Sequence, residues 1–508
     1  MKAVLNRFFG RLTIEHLWAL VALAGVFIFL NLHPIRPHDF WWHMAVGREV
    51  VTTGQIPTVD AYSLTQQAQP YPSYSMFWLM EVYFYRVYSL GGPALVVFGH
   101  SLMVGTAYAI LLYLCWKKSG SWRIAAVSVL FAAALGINDW NVRPQAVSFL
   151  IGAVYLLAIY KLQVGEAKKW LLVFPLGMLI WANSHGSFFI GLVLIGLWLG
   201  QEAWAAWRGG EIKGMHKLPL PLQFPLLALL ATGLAALLNP RGFGILSYLA
   251  GMLASTPVQK LVLEWAAPGF DTLGGRLFLG GLILCALVLV FSPKHPTIFQ
   301  WMTFLFFAGL GLKTLRGAVW FGMVLAPALA EHLKWMAGRL VRTGKRSSTT
   351  PPMAQIMNAV LAGMVLLSVL VTLPWFKESL PLPELKRRLI AAETPVEATR
   401  FLLENQLPSP IFHDMAYGSY LIWTAQPDYP VFVDSRIELY PYEHWEEYLN
   451  TSQAGNEWES SLEQYGIQTL ILDKLNQTKL IQAASETTRW NLVYEDGESV
   501  IFINDMGP

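Results

Sequence analysis

Three observations predict an all-α polytopic membrane domain of about 11 transmembrane helices followed by a small extracytoplasmic α/β domain. Apolar runs of about 20 residues, enough to cross a hydrocarbon core, recur as far as residue 374. Only 14% of the 508 residues are charged, whereas a soluble globule carries about a quarter. Beyond residue 377 the runs shorten and alternate between strand and helix patterns. The expected division is therefore 1–376, with a long first external loop at 33–93, and 377–508.

The spans fall near 14–32, 94–116, 123–138, 144–161, 169–184, 187–207, 221–239, 273–292, 297–313, 317–334 and 353–374. The 21 Trp and 28 Phe suffice for interfacial belts on many helices. Lys and Arg gather in alternate loops: Lys2, Arg7, Arg11; Lys117, Lys118, Arg123; Lys161, Lys168, Lys169; Arg208, Lys213, Lys217; Lys294; and Lys334, Arg339, Arg342, Lys345, Arg346. By the positive-inside rule these loops are cytoplasmic, and an odd number of spans sends the tail outside. The first run lacks a small-residue cleavage site, which predicts a retained helix. Cys115 and Cys285 lie inside apolar runs and read as buried small residues, with no disulfide.

In the first loop, 40–53 reads as a short amphipathic helix stopped by Gly54. The aromatic stretch 74–90 carries Glu81 and Arg86 and reads as a helix lying in the interface. Residues 344–352 form a basic, Ser/Thr/Pro-rich link. In the tail, 395–405 reads as a helix, and 411–413, 431–434 and 469–472 as strands. Residues 418–423 fit either a helix or a strand, and 490–494 with 499–503 form a hairpin around Asp496-Gly497. Asn450 and Asn476 fit the glycosylation sequon, a short pattern common by chance. There is no internal repeat. Without a Rossmann fingerprint or a P-loop, a soluble nucleotide donor is disfavoured, and no nucleic-acid partner is expected.

The stretch after the first span concentrates chemistry: His38-Asp39-Phe40-Trp41-Trp42-His43, then Gly47, Arg48, Gly54, Pro57, Asp60 and Tyr62-Ser63. A carboxylate among indoles at the membrane surface is partly desolvated. Desolvation raises its basicity and suits a general base or an acceptor-orienting group. Asp39 equally suits an N-cap of the following helix.

The pattern Asp-x-Trp-Trp-His-x-x-x-Gly-Arg, followed by Gly, Ile-Pro and Asp-x-Tyr-Ser, resembles the first external loop of polytopic glycosyltransferases with the GT-C fold. The resemblance is to bacterial members of the ArnT, protein mannosyltransferase and RgtA–D type, and it covers about residues 10–335. It implies a polyprenyl-phosphate-linked sugar as donor, an acidic residue essential to transfer at Asp39, and a late external cation for the donor phosphate. Arg316 matches that cation best, with Lys313 beside it and Arg241 as a second candidate. Contact with anionic headgroups is the alternative for this pair. In metal-dependent members the second external loop brings an acidic pair. Here it brings only Asp139, so Asp39 and Asp139 are a thin ligand set and Mg²⁺ or Mn²⁺ remains an open cofactor.

Other residues carry two readings each. His43, four residues after Asp39, orients a hydroxyl or phosphate, or packs beside Trp42. Arg48 and Asp60 pair across the loop. Glu81 faces a cavity or pairs with Arg86. Arg143, before Pro144, binds phosphate or pairs with Asp139. His185 lines a cavity or closes the tight turn at Gly186. Asp434 and Arg436, at the end of a buried tail strand, form an acceptor-binding edge or a structural ion pair.

The expectation is a multi-pass protein of a bacterial inner membrane, transferring sugar from a lipid phosphate to a lipid, glycan or protein acceptor. A non-catalytic GT-C-like subunit of an envelope complex and a lipid or solute transporter are the rivals. Transporters usually show repeated halves and broken mid-membrane helices, and neither is found here.

Overall fold

A computed structural model describes residues 12–209, 219–340 and 352–505. The charges at Lys2, Arg7, Arg11, Lys213, Lys217, Arg342, Lys345 and Arg346, and the link up to residue 351, lie outside the described residues.

The bundle runs α1 (Ile14–Asn31), α2 (Asp39–Thr53), α3 (Tyr74–Ser119), α4 (Trp122–Leu135), α5 (Ala146–Gln163), α6 (Val173–Trp181) and α7 (Phe189–Arg208). It continues with α8 (Leu220–Ala236), α9 (Gly244–Ala254), α10 (Thr256–Leu261), α11 (Leu273–Phe291), α12 (Ile298–Lys313), α13 (Gly317–Leu340) and α14 (Pro352–Val371). Six helices among the described residues are long and apolar enough to cross a membrane: Ile14–Asn31, Tyr74–Ser119, Ala146–Gln163, Gly186–Arg208, Leu273–Phe291 and Met353–Val371. Three more are apolar but shorter, so the count does not reach the expected eleven.

Two differences from the expected spans have local causes. The helices expected at 74–90 and 94–116 are one element, kinked where Gly91 and Gly92 leave helical geometry. Gly92 sits at φ +62°, which favours glycine, and Pro93 then starts the second half. The run 169–184 breaks into a 3₁₀ stretch, Lys168–Leu172, and the short α6. Pro175 lies in the first turn of α6, where its missing N–H costs no helix bond.

The mostly buried α13 is the bundle's centre and packs against α3, α4, α11 and α12. By contrast, only 11% of the α14 span is buried. Its exposed Ile356, Leu366 and Leu367 suit a lipid-facing helix, because that apolar surface would be costly in water. Cys115 and Cys285 are buried free thiols.

The tail holds α15 (Glu384–Arg387), α16 (Val396–Glu404), β1 (Ile411–His413), α17 (Met415–Thr424), α18 (Tyr442–Ser452) and α19 (Trp458–Gln464). β2 (Thr469–Asp473), α20 (Thr478–Glu486), β3 (Trp490–Glu495) and β4 (Ser499–Asn504) complete it. The sheet order is β1-β2-β4-β3, with β1 parallel to β2 and the other pairs antiparallel. The strand expected at 431–434 does not join this sheet. Its backbone pairs with the first loop instead: Val431 N–H donates to Tyr62 O at 2.9 Å, and Leu64 N–H donates to Val431 O at 2.8 Å.

The tail and the first loop share a core. Trp42, Val46, Tyr62, Tyr71 and Tyr74 pack with Tyr417, Leu421, Ile422 and Tyr429. Inside it Arg436 is bonded to Asp434 at 2.6 Å and to Tyr74 Oη at 2.6 Å, and it also pairs with Asp60. All three charged side chains are fully buried. Burial alone would raise the Asp60 pKa, but Arg436 and the bonds from Ser63 hold it low. Asp60 therefore does not pair with Arg48, whose guanidinium lies over the Trp423 ring at 4.5 Å. Asp434 and Arg436 form a structural ion pair rather than an open edge.

Removing one member of a buried pair leaves a stranded charge and costs about 3–5 kcal/mol. Arg436→Met should lower the thermal midpoint in detergent and expose the tail to limited proteolysis. An unchanged midpoint and cleavage pattern would show that the triad does not fasten the tail.

Candidate functional site

One end of the bundle carries a row of alternating charges from four segments: the start of α2, the turn before α5, the segment before α11, and the turn before α13. Asp39 lies in the first turn of α2, with His38 in the N-cap position and making no side-chain cap bond. Arg143 Nε is 3.0 Å from Asp39 Oδ2. Arg143 Nη1 is 3.1 Å and 3.2 Å from the two oxygens of Glu264. Arg316 binds Glu264 Oε2 through Nε at 2.8 Å and Nη2 at 2.7 Å. The four side chains are 16–31% exposed, so the row is accessible from outside the fold.

Backbone pairing fixes the far end of the row. Arg316 N–H donates to Glu264 O at 3.1 Å, and Leu315 N–H to Ala266 O at 3.0 Å. The near end is set by α2 lying on α3. A Cβ at Gly47 would sit 2.1 Å from the Glu81 carbonyl oxygen, so only glycine allows this approach. One turn earlier on α2, His43 Nδ1 meets Glu81 Oε1 at 2.9 Å, and both side chains are buried. Glu81 is thus paired with His43 rather than Arg86. His43 also lies against Trp42, with ring centroids 3.6 Å apart, and beside Phe77, which touches His185.

The electrostatics follow from this packing. Burial raises the Asp39 pKa, but the Arg143 guanidinium outweighs it and holds the carboxyl below its usual value. The basicity expected from desolvation alone is therefore reversed by an arginine that is distant in sequence. Burial likewise raises Glu264, and Arg143 and Arg316 pull it back below normal. Burial keeps His43 and His185 neutral, each pushed down to about 3. Arg143 is held protonated by Asp39 and Glu264 against its own desolvation. Asp139 differs. Burial and the neighbouring Glu264 charge push it up to about 7, although Gln145 Nε2 donates to its Oδ1 at 3.2 Å.

The structure brings Asp39, His43, Glu81, Asp139, Arg143, His185 and Arg316 to one region. His185 also closes its turn, its Nδ1 accepting from Ser187 N–H at 3.1 Å. Arg48, Asp60, Asp434 and Arg436 belong to the tail contact instead. Lys313 is exposed at the end of α12. Arg241 lies toward a neighbouring cavity, over the Tyr248 ring at 5.8 Å. Sequence reasoning missed Glu264. The available signal was a lone carboxylate beside Trp265 in an otherwise apolar stretch between two spans.

Asp39, Asp139 and Glu264 are the carboxylates that a divalent cation would use. In this arrangement Arg143 binds both Asp39 and Glu264. No group of three His, Cys, Asp or Glu among the described residues converges to hold a metal. The donor set as arranged does not fit Mg²⁺ or Mn²⁺, and no chemical step is derived through one.

Asp139 should titrate near neutrality. Infrared difference spectra of the wild type should show a carboxyl band lost as pH rises through about 7, and Asp139→Asn should remove it. Glu264→Gln deletes the repelling charge and should move that transition downward. A transition that stays in place would mean that Glu264 does not set it.

No protein-family model and no curated protein matches the sequence. Solved structures do. The arabinofuranosyltransferase AftD from Mycobacteria is 11% identical with a TM-score of 0.56, over 98% of this chain and 40% of that one. The Archaeoglobus fulgidus oligosaccharyltransferase is 12% identical with a TM-score of 0.49, over 96% and 74%. ArnT from Cupriavidus metallidurans bound to undecaprenyl phosphate is 14% identical with a TM-score of 0.47, over 97% and 98%. The chain spans well under half the length of AftD. At this identity the likeness to AftD is one of fold alone.

Proposed function

We propose that the protein is a membrane glycosyltransferase that moves a sugar from a polyprenyl-phosphate donor to an acceptor hydroxyl outside a bacterial inner membrane. The observation that carries the reading is the row Asp39–Arg143–Glu264–Arg316, which sets a carboxylate beside two guanidiniums at one end of an apolar bundle. The fold shared with AftD supports it. In this reading the N-terminus is cytoplasmic, and residues 377–508 form an extracytoplasmic unit over the site.

The donor phosphate is an anion, and guanidiniums bind such groups through paired, charge-assisted hydrogen bonds. Arg316, with Arg143, takes the phosphate oxygens in place of Glu264. The acceptor oxygen attacks the anomeric carbon from the face opposite the phosphate, the bond from that carbon to the phosphate oxygen breaks, and the configuration inverts. The phosphate leaves with the electron pair, stabilised by the arginines, and the hydroxyl proton passes to Asp39. As Arg143 shifts toward phosphate, Asp39 loses the charge that depresses its pKa and becomes a better base. His43, buried, and His185, half-buried, are both neutral and lie in this region without adding charge. Lys313 lies three residues before Arg316, at the end of α12, where it serves the donor headgroup.

Asp39→Asn keeps the shape and removes the base. With a radiolabelled polyprenyl-phosphate sugar and purified protein, it should lower transfer by about 10²-fold or more. Normal membrane expression with full transfer activity in this variant would sink the proposal.

A further inference from the structure

Two clefts lie where the first loop meets the tail, one of them also walled by α9. One, of about 600 Å³, is walled by Thr65, Glu443, His444, Glu447 and Tyr465. The other, of about 520 Å³, is walled by Tyr71, Arg241, Ser247, Tyr248 and Glu438. Gln66 lines both, and the tail wall runs on from Leu439 to Pro441. The two clefts are therefore halves of one trench that meet at Gln66.

The trench has a consistent chemistry. Glu438 is fixed by Tyr71 Oη at 2.8 Å and Ser73 Oγ at 2.7 Å. Glu447 is fixed by Tyr465 Oη at 2.8 Å. Each half thus sets a held carboxylate beside the half-buried ring of a tyrosine, Tyr248 or Tyr465. Held carboxylates and amides accept and donate to hydroxyls, and half-buried aromatic faces cover the apolar C–H faces of sugar rings. No residue of these walls lies in a strand, so an extended peptide finds no strand edge to join. Each half falls within the about 300–1,000 Å³ of an ordinary small-ligand pocket, so the pair suits a ligand of several linked units. The inner half lies beside the turn that carries His185: a Cβ on Gly186 would lie 4.0 Å from the Tyr248 ring.

We infer that this trench binds a linear carbohydrate chain several sugar units long, with its end at Tyr248 directed toward Asp39. The inference rests on the glycosyltransferase reading for its direction, and it makes the acceptor a glycan chain rather than a peptide or a single sugar.

The test uses the full-length protein in nanodiscs on an array of linear oligosaccharides graded in length. The wild type should retain longer chains at least tenfold better than disaccharides of the same sugar. Gln66→Trp, which blocks the junction, should remove that advantage. Tyr465→Ala should weaken retention of the longer chains more than that of the disaccharides. Failure to retain any glycan, or a length dependence untouched by Gln66→Trp and Tyr465→Ala, would overturn the inference. The two ideas fail separately. Transfer lost in Asp39→Asn with no effect of Gln66→Trp on retention keeps the enzyme and removes the trench. Length-dependent retention by a protein that transfers no sugar keeps the trench and removes the enzyme.

Discussion

The arrangement depends on one buried ion triad. Arg436 brings a guanidinium from the tail into a space where Asp60 of the first loop and Asp434 of its own segment wait with no access to water. Such a group is tolerated only with nearly every donor satisfied, and Tyr74 Oη takes a further bond. The triad therefore allows one docking position for the tail. That position seats Trp42 and Val46 in the shared core and lets Trp42 N–H donate to Ser419 Oγ at 2.9 Å. Trp42 lies in the same turn of α2 as Asp39, so the register of the tail also sets where Asp39 sits.

What could be read from the sequence, and what could not, separates along the range of the forces. Apolar runs announce spans because burial in lipid is a local property of composition, and short strands in the tail showed themselves in the same way. Asp39, Arg143 and Arg316 stood out because charges at the end of a span are costly and need a reason. Partners were another matter. Asp60 was matched with the nearest arginine in sequence, Arg48, but its partner is Arg436, far along the chain. Glu81 was matched with Arg86 and instead meets His43, because Gly47 lets two helices approach more closely than any pattern indicates. Glu264 carried a weak signal, since its segment folds into the short α9 and α10 and takes meaning only from two distant arginines.

The sign of the Asp39 shift makes the same point in energetic terms. Burial and an opposite charge act in opposite directions on a carboxylate, and the winner depends on whether a cation lies within about 4–6 Å. Sequence supplies the first effect, because neighbouring indoles predict burial. Only the fold supplies the second, by laying Arg143 on Asp39 at 3.0 Å.

A row of alternating charges also behaves differently from an isolated acid. Each interior member is shared by two partners, so binding an anion at one end redistributes the whole row. In the proposed transfer, a phosphate on Arg316 would release part of Glu264, which then holds Arg143 more strongly. Asp139, poised at about 7, can take a proton to absorb the added negative charge. The row thus couples phosphate at one end to proton affinity at the other without large motion. In such a row Asp39 need not be a strong base at rest. In the proposed transfer it becomes one only when an anion draws Arg143 away, which would tie proton acceptance to the presence of a donor and leave the carboxylate quiet when none is bound.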